Sequence, residues 1–306
     1  MKTKTNFINT AIFLILLSSL IINPDLIAQE VEPRLYQSLP TGLNAAAFSY
    51  SYSHGNIVAD ATAPVQDFIL TSNIFVGGYL RTFSFFGRLA KVQALLPFVY
   101  MMGDLKYKGI DTSGSRTGLA DARVRFIVNL LGQPALEPQE FQKFKEEAVL
   151  GASIVVAIPT GQFFEEKMVN IGSNRWSIKP EIGFSYRYES IYFEAYGGVW
   201  FFTENNSFLK TSTLEQDPLF TFQAHLCYYF SSGIWIAVNG AYANGGETKV
   251  NDIYKHDFQK NSRMGATLSV PFGKQHSVKV LFNTGAFTRV GGDFDMLTVA
   301  YQFVWF

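Results

Sequence analysis

The chain has a single cysteine, Cys227, in 306 residues. One thiol excludes an intrachain disulfide and any thiolate metal cluster. Past the first 28 residues no run of 18 or more apolar residues occurs, which excludes a membrane-spanning helix from the rest of the chain. Charge of either sign is scarce and balanced, with 25 Lys and Arg against 25 Asp and Glu. The basic residues do not cluster, so nucleic acid is not an expected partner. Catalytic signatures are missing as well. There is no Gly-x-Ser-x-Gly elbow. Of the four histidines, His54 follows Ser53, but neighbours on a strand point to opposite faces. His256 and His276 fall in a connector and beside a turn. His225 alone lies inside a regular segment, where a hydrogen-bonded structural histidine is the expectation. The group Asp252, His256 and Asp257 has no spacing that fixes a metal geometry. Gly245-Gly246 and Gly291-Gly292 precede no helix start that could hold phosphate. With these absences no catalytic residue, metal or cofactor is expected, and the chain is not read as an enzyme.

Aromatic residues are abundant: 29 Phe and 15 Tyr, in a chain that is 48% hydrophobic and only 16% charged. That balance suits strands with one face to lipid and the other to polar groups. Residues 1–28 read as a secretory signal peptide, with Lys2 and Lys4 before the apolar stretch Ala11 to Ile22 and a cleavage point at Ala28. The apolar stretch is too short to cross a bilayer of roughly 30 Å as a helix. Residues 29–306 are then the mature barrel. At the other end the chain closes on an alternating strand, with Leu297, Val299, Tyr301, Phe303 and Trp305 on one face. This resembles the C-terminal signal of bacterial outer-membrane barrels and implies the barrel-assembly machinery as a partner through the strand ending in Phe306. Phe306 itself is one residue out of phase, which a terminal bulge would absorb.

Period-two alternation divides the mature chain into about twelve segments. They lie near residues 43–53, 68–80, 87–100, 119–130, 148–158, 176–188, 191–202, 219–230, 234–243, 263–270, 277–287 and 295–306. Each is roughly the length a tilted strand needs to span a membrane. Connectors alternate in length. Long polar ones occupy 56–66, 103–118, 160–174, 203–217 and 244–260, whereas Glu189-Ser190, Ser231-Ser232-Gly233 and Gly273-Lys274-Gln275 are tight turns. An all-β, antiparallel transmembrane barrel with external loops, periplasmic turns and both termini inside has this pattern. One periplasmic connector, residues 132–147, is long instead of short. Its composition from Pro138 to Glu147 suits a brief amphipathic helix, read as a cap on the lower mouth in preference to a docking site for a partner.

Parity sorts the two faces. In the sixth segment Trp176, Ile178, Ile182, Phe184, Tyr186 and Tyr188 oppose Ser177, Lys179, Glu181, Ser185 and Arg187; in the fourth, Ala122, Val124, Phe126 and Val128 oppose Asp121, Arg123, Arg125 and Asn129. A Lys or Arg facing lipid costs about 2–4 kcal/mol at mid-depth, so the charged faces line the interior. The same sorting places Lys91, Gln93, Glu194, Gln223, His225, Asn239, Lys279 and Asn283 inside. It assigns Phe68, Leu70, Ile74, Val76, Phe193, Phe201, Phe220, Phe222, Ile234 and Ile236 to the band that meets outer-membrane lipid. Pro180 cannot donate to a ladder, and a bulge or a close approach to the wall is expected there.

Several stretches carry a family resemblance. The first is Glu32-Pro33-Arg34-Leu35-Tyr36-Gln37-Ser38-Leu39-Pro40-Thr41-Gly42-Leu43-Asn44, followed by Tyr50 to Asn56. The second is Gly118-Leu119-Ala120-Asp121-Ala122-Arg123-Val124-Arg125, running to Asn129-Leu130-Leu131-Gly132-Gln133-Pro134. The third is Pro159-Thr160-Gly161-Gln162 with Asn170 to Gly183, continuing at Glu194 to Phe202. Together they resemble an outer-membrane transporter family named for the meta-pathway of phenol degradation. The match is close over residues 32–205 and rests mainly on strand pattern beyond. The resemblance implies an exported barrel moving small solutes, hydrophobic or aromatic ones among them.

The reading is therefore a channel or transporter of the bacterial outer membrane. Asn174, Arg175 and Trp176 stand where an external loop enters the sixth segment. With Lys91, Asp121, Arg123, Arg125, Lys179, Glu181, Arg187 and Glu194 they are the candidate solute pathway, since rings of charged side chains are how such pores select. About six inward cations against three anions point to a mild anion preference. Inward charges of both signs can instead pair across the wall and rigidify it. Two alternatives are carried: a structural or adhesive barrel binding partners through the loops 163–168 and 249–260, and an outer-membrane lipid hydrolase.

Overall fold

The structure is a computed structural model that describes residues 31–58, 65–107 and 109–306. The signal-peptide assignment, and part of the connector at 56–66, lie outside the described residues. Residues with strand-forming aromatic and β-branched side chains on alternate positions build a long antiparallel meander. In chain order its strands are β1 (Asn44–Val58), β2 (Val65–Phe85), β3 (Arg88–Tyr107), β4 (Ile110–Leu119), β5 (Ala122–Leu131), β6 (Ala148–Ile158), β7 (Ser177–Tyr188) and β8 (Ile191–Phe202). There follow β9 (Asn205–Phe208), β10 (Ser212–Gln216), β11 (Leu219–Tyr229), β12 (Trp235–Gly245), β13 (Thr248–Val250), β14 (Ile253–Tyr254), β15 (Gln259–Phe272), β16 (His276–Phe287) and β17 (Gly291–Trp305).

Each large strand pairs with its neighbours, and β1 pairs with β17, from Asn44 opposite Trp305 to Val58 opposite Gly291. β4 and β5 are consecutive pieces of one stave, both against β3. The result is a closed barrel of twelve staves, and every predicted segment corresponds to one of them. Closure leaves no edge in the hydrocarbon region, where an unpaired backbone group is costly. Phe48, Ile182, Phe193, Phe220, Phe222, Val238 and Leu297 are among the exposed outward side chains that form the lipid band.

The departures from expectation have local causes. Residues 103–118 are not a loop but a continued β3–β4 ladder, from Gly103 opposite Gly114 to Tyr107 opposite Ile110. Outside the membrane no apolar face is required, so the pairing persists without the alternation that would announce it. Connectors 203–217 and 244–260 likewise contribute β9, β10, β13 and β14 to a separate four-stranded sheet above the barrel. The long periplasmic connector holds one helical turn, α1 (Pro138–Phe141), with a capping box between Glu137 and Glu140. At Pro180 there is no bulge. The β7–β8 ladder keeps one register on either side of Lys179 and Pro180 and lacks only the pairings at those two residues. At the C-terminus β17 ends at Trp305 with unbroken pairing to β1, so Phe306 lies past the strand and no bulge is needed.

The assignment of Phe68, Leu70, Ile74 and Val76 to lipid is reversed. Phe68 is only 5% exposed, and with Ile57, Leu70, Ile74, Val99 and Met101 it forms an apolar cluster inside the barrel. Val76, Met168 and Val169 pack against it. Both faces of β2 are apolar, so parity alone could not orient it; Ile69, Phe75 and Tyr79 take the lipid side.

Candidate functional site: a lumen crossed by the N-terminal segment

Residues 31–43 precede the first strand, and Pro33 and Pro40 keep them from joining a ladder. The segment turns at residues 33–36, where Arg34 adopts φ 67° and its carbonyl accepts the Gln37 N–H at 3.3 Å. Val31, Arg34, Leu35 and Tyr36 are all buried. Their partners run along one continuous half of the wall, from β3 through β5, β6, β7 and β8 to β11, so the segment lies inside the bore.

Arg34 is held most densely. Its backbone N–H donates to Glu194 Oε2 at 2.7 Å, and its guanidinium reaches Glu194 Oε1 at 3.0 Å and Glu146 Oε1 at 3.2 Å. The same guanidinium donates to the Tyr229 hydroxyl at 3.1 Å and sits 3.8 Å over the Tyr192 ring. A buried cation is tolerable only when paired and hydrogen-bonded in this way. Glu32 accepts from Arg125 at 2.9 Å, while its N–H donates to Gln223 at 3.2 Å. Burial would raise the Glu32 carboxyl pKa, but Arg125, Lys279 and Lys179 together hold it below the usual carboxylate value.

Tyr36 is fully buried, with its ring edge-on to Tyr196 at 5.1 Å. Its hydroxyl stands 3.2 Å from both Ser153 Oγ and Glu181 Oε1. Two inward glycines make the slot. A Cβ at Gly183 would lie 1.9 Å from the Tyr36 ring, and one at Gly151 would lie 2.2 Å from it. Backbone groups of the segment are also satisfied by the wall. Lys91 Nζ donates to the Leu35 and Gln37 carbonyls at 3.0 and 2.7 Å, and Asn129 Nδ2 to the Tyr36 carbonyl at 3.3 Å.

The periplasmic connector grips the same segment from below. Gln133 Nε2 donates to Leu39 O at 2.6 Å, Thr41 N to Leu136 O at 2.8 Å, and Ser38 N to Glu146 Oε2 at 2.8 Å. Residues 132–147 are thus a clasp on the N-terminal segment.

Of the residues predicted to line a pathway, Lys91, Arg123, Arg125, Lys179, Glu181 and Glu194 face inward and are buried together. Lys179 and Glu181 pair with each other at 2.8 Å, and the Arg123 guanidinium lies 5.7 Å from the Trp200 ring. Asp121 anchors the external loop, accepting from Gly161 N and Ser173 N, each at 2.9 Å. Arg175 is buried against Phe202 and hydrogen-bonded to Gln216. Two predicted residues do not face the lumen. Trp176 is 46% exposed on the outer face, as its parity with Ile178 requires. Asn174 is exposed in the loop, bonded to Asn205 at 3.0 Å. Arg187 keeps its inward parity but is exposed at the periplasmic end, its guanidinium 5.6 Å from the Tyr192 ring and donating to Glu189 O at 2.7 Å. His225 has Nδ1 2.9 Å from Asn239 Oδ1 and its ring 5.0 Å from Tyr196, a structural role.

A closed barrel with a lipid-facing apolar band and a charged interior defines a transmembrane β-barrel of the bacterial outer membrane. A family model described as "Putative MetA-pathway of phenol degradation" matches residues 49–304, and the chain belongs to that family. An outer-membrane channel from Pseudomonas putida F1 superposes with a TM-score of 0.76 at 20% identity, over 90% of this chain and 100% of that one. The β domain of the Bordetella autotransporter BrkA gives 0.46 at 14% identity, over 86% and 99% of the two chains. The transport unit of the autotransporter AIDA-I from Escherichia coli gives 0.48 at 9%, over 88% and 91%. The first of these likenesses shows a shared fold. No curated protein matches the sequence.

Proposed function

We propose that the protein is a channel for small solutes whose bore is obstructed by its own N-terminal segment, and that displacing this segment opens it. The observation that carries the reading is the binding of Arg34 by Glu194 on the wall and Glu146 in the clasp. A chain segment held by charges on both wall and connector is a device for closing a bore. It is joined to the barrel at its β1 end, so it can retreat toward the periplasm without breaking a strand pairing. The family name and the fold shared with an outer-membrane channel support transport of a small solute. No catalytic role is proposed, because the strand histidine is committed to Asn239 and Tyr196.

Liposome swelling tests the reading with the mature chain and a variant lacking residues 31–40. Faster entry of small sugars and carboxylates into vesicles holding the shortened variant is expected. Equal, negligible entry with both, once folding is verified by heat-modifiable migration, would overturn it.

A further inference from the structure

The N-terminal segment fills the bore unevenly. Near its junction with β1 the segment bonds Thr82 at the periplasmic end of β2. Further in, its hydrogen bonds go to β3, β5 through β8 and β11, together with the clasp. Inward side chains on these strands are buried almost throughout. On the opposite arc the inward residues Ala47, Ser49, Gly78, Val76, Thr298 and Ala300 keep partial exposure. Space therefore remains between the segment and the middle of the arc from β16 round to β2, whereas Thr267 and Ser269 on β15 are buried.

One hydrogen-bonded row crosses that arc. Val76 on β2 is opposite Ser49 on β1, Ser49 is opposite Ala300 on β17, and Ala300 is opposite Lys279 on β16. Lys279 is in turn opposite Ser269 on β15, which is opposite Trp235 on β12. Lys279 is the cation of this row, half-buried, with Nζ 5.5 Å from the Trp235 ring centroid. Among the described residues it makes no hydrogen bond or ion pair. The carboxylate of the N-terminal segment that shares its field, Glu32, is already bonded to Arg125. Its neighbours across the row, Ala300 and Ser269, are small, and Leu281 on the same face of β16 adds apolar surface.

We propose that Lys279 is a specificity-determining residue of the lumen and binds the carboxylate of a small organic anion whose apolar body lies along this arc. The proposal deepens the channel reading and rests on it for its biological meaning, though binding itself can be measured without conduction. A lysine in a half-dry space lacks the hydration of a surface cation, and among the described residues no carboxylate is hydrogen-bonded to it, the Glu32 carboxylate being shared with Arg125. A carboxylate supplies the missing charge-assisted bond. Small side chains beside it leave room for a ring or short chain, and the apolar neighbours favour one over a hydrated inorganic ion.

The test uses the full mature chain folded in detergent, with 4-fluorobenzoate as the probe and fluorine NMR relaxation as the readout. Lys279→Gln should weaken binding about tenfold or more, the scale of a lost hydrogen bond to a charged group. Lys279→Arg, which keeps the charge, should retain it. Neutral 4-fluorotoluene should bind no more weakly to Lys279→Gln than to the unaltered chain. Equal benzoate affinity in all three proteins, or no saturable binding in any, would overturn the inference. Reversal potentials of the variant lacking residues 31–40, with and without Lys279→Gln, separate the two claims. Conduction with unchanged anion preference sinks only the role of Lys279, and absence of conduction sinks the channel reading.

Discussion

Arg34 and Glu194 meet twice: the backbone N–H of one and its guanidinium occupy the two oxygens of the other, at 2.7 and 3.0 Å. Both side chains are almost wholly shielded from solvent. Glu194→Gln removes the charge while keeping the shape, leaving Arg34 with Glu146 as its remaining carboxylate. Breaking a buried pair costs about 3–5 kcal/mol, and here the cost falls on the closed state. Single-channel recordings should show openings that are rare or absent in the unaltered protein.

Gly183 tests the same closure without touching charge. The Cβ of Gly183→Ala would collide with the Tyr36 ring at 1.9 Å. Overpacking of this kind costs about 1–3 kcal/mol, and Tyr36 is the movable party. Increased protease cleavage near residues 31–43 in the folded barrel is expected. Gly197→Ala, on the outer face with nothing within 4 Å, should behave as the unaltered chain.

The interior is legible from sequence only in part. Alternation yields all twelve staves, because lipid on one side and a polar lumen on the other force period two. It fails at β2, whose two faces are both apolar, and above the membrane at β3–β4, where neither face has to be. The N-terminal segment is missed for a different reason. It has no period at all, and its contacts with Glu194, Glu146 and Gly183 are long-range. A signal was nonetheless present: Leu35, Tyr36 and Leu39 are too apolar for a free tail, and small inward positions at Gly151 and Gly183 leave a gap that something must fill. Adjacency groups Asn174 and Trp176 with Arg175, although strand geometry puts only alternate residues on one face.

Acid should loosen the closed state. The Glu32 carboxyl titrates below its ordinary value of 4.5 when bound to Arg125. A lowered folded-state pKa contributes stability that is present above the ordinary value and lost as pH falls through the folded one. Closure should therefore be unchanged between neutral pH and about 4.5 and weaken only below that. Glu32→Gln should remove this acid-dependent part. A pH series of proteolysis rates at the N-terminal segment would check it.

Cys227 is a built-in reporter. Its thiol is buried on the inner wall, 3.9 Å from Glu194 Oε2. Maleimide should label it slowly in the intact folded chain and faster once residues 31–40 are removed, because the segment covers that wall. Labelling at one rate in both would place the segment elsewhere.

If the N-terminal segment, seated in the twelve-stave barrel, controls the bore, its removal must change what the bore passes. Planar-bilayer conductance of the mature chain and of the chain without residues 31–40 tests it most directly. Small or no steps are expected for the first and a steady, much larger conductance for the second. Indistinguishable conductance in the two proteins would contradict it.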